Sequence, residues 1–154
     1  MRTASIALLL AGLAVAGCDT GPAALDIVSA SPAQSRAMLP TPTVVGPVSI
    51  ALDVDVRAGP LKALFDRHGS IDLRVFDCGA PEGPGETAEL YFGGEALGGL
   101  TGSQISDDPD MLVRLNAAVP RSVASLSRPC ARLVGRPELM APEVVSRPVP
   151  MTLN

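Results

Sequence analysis

The chain has 154 residues, of which 47% are hydrophobic and only 3% aromatic, with no Trp, one Tyr and three Phe. Twelve basic residues stand against sixteen acidic ones, a net charge of −4 with no basic cluster, which leaves a nucleic-acid partner without electrostatic support. So few rings disfavour surfaces that stack bases or sugars, while fifteen Pro and fifteen Gly point to many turns rather than long helices.

Met1-Arg2 opens the chain with a positive charge, and Ala4 to Gly17 then carries none. As a helix that run would reach about 21 Å, short of the roughly 30 Å hydrocarbon core, so it suits a secretory signal better than a permanent span. Ala14-Val15-Ala16 fits an ordinary small-x-small cleavage site. Val15-Ala16-Gly17-Cys18, with Leu13 just upstream, resembles the lipobox of bacterial lipoproteins. That resemblance covers residues 1–18 alone. It implies a signal peptide over 1–17, acylation of Cys18 (palmitate-type chains) and attachment to a membrane through the N-terminal lipid. Several acyl chains, at about 0.8 kcal/mol per buried methylene, give a stable anchor. Asp19 after the lipidated cysteine resembles the signal that retains lipoproteins at the inner membrane. The expected location is therefore the periplasmic face of the inner membrane, with the outer membrane as the alternative.

Three cysteines are an odd number for an oxidising compartment. If Cys18 carries lipid, Cys78 and Cys130 are left to pair as a structural disulfide. No Cys-x-x-Cys and no histidine companion gives that pair a metal or redox reading.

Residues 18–47 read as anchor and tether, rich in Pro, Ala, Ser and Thr, with a short edge strand conceivable in Leu25 to Ala30. The folded domain is expected over 48–154. Val48, Ile50, Leu52, Val54 and Val56 alternate with Ser49, Ala51, Asp53, Asp55 and Arg57, a strand with one packed and one wet face. Leu61, Leu64 and Phe65 have helical spacing between Pro60 and Gly69. Ser70 to Phe76 alternates as a second strand, a Pro/Gly loop follows, and Ala88 to Phe92 resumes as a strand that Gly93-Gly94 turns. Residues 109–119 support a helix or a strand, and the surrounding strands favour the latter. Two closing strands flank Arg136 to Pro142, with Pro148 and Pro150 suited to an edge. The expected fold is mainly β, an antiparallel β-sandwich of immunoglobulin-like or transthyretin-like type with one or two short helical turns.

Little in the chain promises chemistry. His68 is the one histidine, beside Gly69 at a helix end, and no Gly-x-Ser-x-Gly elbow occurs. Asp107 to Asp110 lacks the ligand spacing of a calcium loop and reads as a solvated turn. Asp53 and Asp55 share a strand face, about 7 Å apart, and read as a charged surface. The glycine-rich stretch 93–104 lacks the lysine of a phosphate loop. Its entrance, Tyr91, Phe92, Gly93 and Gly94, is the candidate binding loop. No catalytic residue, metal or cofactor is expected. The favoured reading is a non-enzymatic binding or accessory subunit of a cell-envelope assembly. A small-ligand or carbohydrate-binding module comes next, and a hydrolase last.

Overall fold

A computed structural model describes residues 24–33, 49–81, 83, 85–137 and 141–153 of the protein. The expected leader, Cys18, Asp19 and most of the expected tether lie outside the described residues. In chain order the elements are β1 (Ile27–Pro32), β2 (Ser49–Arg57), α1 (Ala58–Phe65), β3 (Ser70–Asp77), β4 (Glu86–Phe92), β5 (Glu95–Ala96), β6 (Leu112–Pro120), β7 (Pro129–Arg136), β8 (Val144–Val145) and β9 (Val149–Pro150). Short 3-10 turns cover Leu97–Gly99, Gly102–Gln104 and Arg121–Ser125.

Alternation fixes the two long strands. Leu52, Val54 and Val56 of β2, and Leu115, Ala117 and Val119 of β6, point inward and are almost wholly buried. The two strands pair antiparallel along their whole length, from Ser49 opposite Pro120 to Arg57 opposite Leu112. The ambiguous segment 109–119 is thus strand from Leu112 onward. A long partner with matching inward residues outweighs the helical spacing of Leu112, Leu115 and Val119. β1 covers the far edge of β2, so residues 27–32 belong to the sheet as an edge strand.

The helix begins directly at the end of β2, with Pro60 in its first turn, where the missing N–H removes no bond. It buries Ala58, Leu61, Leu64 and Phe65 in the common core. Its exit differs from the sequence expectation. The left-handed residue is His68 (φ 54°), whose N–H reaches the Phe65 carbonyl while Gly69 N–H reaches that of Leu64. This is a Schellman pattern with histidine at the position glycine usually takes. Gly69 is needed for space instead: a Cβ there would lie 2.8 Å from the carbonyl oxygens of Leu64 and Arg136.

The nine strands among the described residues form one antiparallel sheet, in the order β1-β2-β6-β4-β3-β7-β8, with β5 beside β4 and β9 beside β7. The strand β4 is the seam. Glu86 to Ala88 pair with β3, whereas Glu89 to Tyr91 pair with β6 on the other edge. Such a staggered strand turns the sheet, and β1 returns beside β9 and β7. The result is a half-barrel rather than two clearly separate sheets. Inside it, Leu52, Val54 and Leu115 from one half meet the same cluster as Leu73, Val75 and Leu133 from the other. The closing segment does not run as one strand: β8 and β9 pair separately with β7, interrupted by Ser146 to Pro148. Ser146 N–H donates to the Leu133 carbonyl and its hydroxyl accepts from Leu133 N–H, bridging the gap that Pro148 cannot fill.

Cys78 and Cys130 form a disulfide, with Cα atoms 5.2 Å apart. It lies just past the end of the β3–β7 ladder, where Phe76 faces Cys130 and Cys78 N–H donates to the Arg128 carbonyl. Asp77 trims the same corner, accepting from the backbone amides of Gly79, Ser127 and Arg128, which hold its carboxyl below the usual range.

Candidate functional site

The outer side of the β1-β2-β6-β4 half carries a polar row set by register. Asp53 faces Asn116, which in turn faces Tyr91 on β4, and one step away Asp55 faces both Ser29 and Arg114. Asn116 Nδ2 donates to Asp53 Oδ1 at 2.9 Å. Arg114 grips Asp55 with two bonds, from Nε at 2.8 Å and from Nη2 at 3.1 Å, and Ser29 adds a third at 3.0 Å. The Arg114 bonds, against the opposing effect of burial, hold the Asp55 carboxyl below its ordinary value. This side was expected to be wet throughout. Asp53 is instead only 6% exposed, and Ala51 and Ala118 pack with Tyr91 beside it. A two-residue repeat marks a face as polar, but it does not reveal the long-range partner that buries it.

Tyr91 is 4% exposed, and its hydroxyl donates to the Glu89 carboxylate two residues back. Burial first, and then the bond and charge of Glu89, push its pKa up from 10.0 to about 12. A raised phenol pKa stabilises the fold fully below pH 10, and that contribution is lost as pH climbs through 12. Tyr91 is the only tyrosine, so alkaline absorbance titration reads it alone. The expected midpoint is about 12, and a midpoint of 10 would mean a solvated ring.

Tyr91 and Phe92 therefore do not line one cleft. As consecutive strand residues they take opposite faces, Tyr91 outward and Phe92 against the core cluster. Gly93 and Gly94 (φ 59° and 89°) form the two-residue turn between Phe92 and Glu95, with the left-handed pair that a type I′ hairpin needs. Because Tyr91 pairs with both Asn116 and Ala96, β5 and β6 lie on opposite edges of β4.

That turn leaves part of β6 open. Ala58 N–H donates to the Met111 carbonyl, so Met111 faces the β2 side, and by alternation Leu112 and Arg114 aim their backbone groups the other way. On that side β4 pairs only with Asn116 to Ala118 before it turns back. Among the described residues no strand pairs with Leu112 to Leu115 there. A groove of about 500 Å³ runs along this edge, lined by Phe92, Gly93, Ile105, Met111, Val113 and Arg114. Met111 and Leu112 are about half exposed, and acidic Asp107, Asp108 and Asp110 border them. Of this lining the sequence points to Phe92 and Gly93, but not to Met111, Val113 and Arg114. The signal available was Met111-Leu112, two large apolar residues directly after an acidic turn.

The remaining candidates fall elsewhere. His68 is exposed and lines a second groove, of about 520 Å³, with Ser70, Asp72 and Gly98 to Thr101. Asp72 is held by Arg136 and Asp66 by Lys62, so neither acid orients the imidazole. Asp107 to Asp110 is a turn: Asp108 accepts from Asp110 N–H, Asp107 meets Lys62 at 3.7 Å and Asp110 meets Arg57 at 3.5 Å. Among the described residues no three His, Cys, Asp or Glu side chains gather as a metal site.

Comparison of the chain with protein-family models, with curated proteins and with solved structures finds no match.

Proposed function

We propose that this protein is a lipid-anchored binding subunit of a bacterial cell envelope, held by Cys18 at the periplasmic face of the inner membrane. The observation that carries the reading is the Cys78–Cys130 bridge. It consumes two of three cysteines, so the remaining one is the residue that ends the lipobox-like stretch. A disulfide-stapled body fits an oxidising compartment. On this reading the half-barrel is a strongly curled variant of the immunoglobulin-like or transthyretin-like sandwich. Recognition is assigned to the open edge of β6, because unpaired strand groups beside an apolar groove accept an extended segment of another protein. The outer membrane is the alternative address for the same anchor.

The test combines the two halves of the proposal. A photo-activatable cross-linker at position 112 should give discrete protein adducts from membrane fractions. Cys18→Ser should move the protein into the soluble fraction. Retention of the Cys18→Ser variant in membranes removes the anchor, and an absence of adducts at position 112 removes the edge.

A further inference from the structure

The two outer faces of the half-barrel differ in sign. The first carries Asp53, Asp55 and Glu89, with Arg114 bound to Asp55 and Arg57 taken up by Asp26 and Asp110. On the second, Leu73, Val75 and Leu133 point into the core, so the alternate residues Arg74 and Arg132 point out. They stand directly opposite one another in the β3–β7 register. Two like charges in such a position repel and weaken a sheet, because their Cβ atoms lie about 5 Å apart. The nearest acid on that face of β3, Asp72, is engaged by Arg136, which also holds Glu143. Among the described residues neither Arg74 nor Arg132 has a carboxylate partner. Arg132 instead lies over the Phe76 ring, 4.8 Å from its centre, and its buried Nε–H finds no acceptor. Thr87 faces Arg74 from β4 and brings a hydroxyl to the other flank.

We propose that Arg74, Arg132 and Thr87 form a binding site for a phosphate-class oxyanion, free or in the headgroup of an anionic lipid. Two guanidinium forks and a hydroxyl offer donors from several directions, which suits a tetrahedral anion with several acceptor oxygens. The anion supplies the negative charge that the fold withholds from this pair, and it removes the repulsion between them. Phe76 holds the Arg132 head in place by its ring face, so less side-chain freedom is lost on binding. The site lies away from the open edge of β6 and does not depend on the anchor at Cys18.

The experiment follows thermal unfolding and calorimetry of the native full chain in neutral detergent, titrated with inorganic phosphate at matched ionic strength. A parallel series replaces phosphate with mixed micelles of phosphatidylglycerol or of phosphatidylcholine. A saturable response to phosphate identifies a free-anion site. A response confined to phosphatidylglycerol identifies a headgroup site. In either case Arg74→Gln and Arg132→Gln should each weaken binding by about tenfold or more, as loss of one charge-assisted fork predicts. Arg74→Lys should fall between, and Arg67→Gln, an exposed substitution elsewhere, should leave binding unchanged. No response to either ligand, or equal responses in wild type and both glutamine variants, overturns the proposal.

Discussion

Removing the Cys78–Cys130 bridge, by Cys78→Ala with Cys130→Ala, is expected to destabilise the body by about 4 kcal/mol. The bridge closes a loop over a separation of 52 residues, and that loop contains β4, β5, β6 and most of the turns. Without it the denatured chain regains the freedom of the whole loop, while the folded chain loses only one corner of the β3–β7 ladder. For a domain of this size, whose total stability is of order 5–15 kcal/mol, the loss is a large fraction. Urea unfolding of the oxidised and alanine forms measures it directly. A difference below about 1 kcal/mol would mean that the unfolded chain already keeps these ends together.

The second large effect concerns two leucines three places apart. Leu115→Ala is expected to cost about 2–5 kcal/mol, whereas Leu112→Ala should stay within about 0.5 kcal/mol. Leu115 is fully buried among the core residues of both halves, and Leu112 is 50% exposed on the outer side. The same chemical deletion thus opens a cavity in one case and trims a surface in the other. Equal costs would contradict the inward and outward assignment along β6, and with it the open edge on which recognition is placed.

The sequence disclosed what depends on neighbours along the chain. The alternation of β2 and β3, the helical spacing of Leu61, Leu64 and Phe65, and the turn at Gly93-Gly94 are all local signals. The cysteine pair was legible because only one partition of three cysteines leaves Cys18, at the end of the lipobox-like stretch, outside the pair. What stayed hidden depends on register between distant strands. Asp53 meets Asn116 across 63 positions, so no periodicity could show that it is buried. Arg74 and Arg132 are likewise joined only by the β3–β7 pairing. The curl of the sheet was illegible for a related reason. It arises where β4 changes partners in mid-strand, and both halves of β4 carry the same alternating pattern.

That change of partners has a mechanical consequence. The covalent staple lies wholly within the β3–β7 half, and the described backbone ladder crosses to the other half only at the three residue pairs between β3 and β4. Side-chain packing carries the rest of the junction. Loosening the interior therefore acts first at this line, letting β1, β2, β6 and β4 swing open as a leaf while β3 and β7 stay clasped. Amide protons of Leu73 to Val75 and Glu86 to Ala88 thus report the hinge of the molecule.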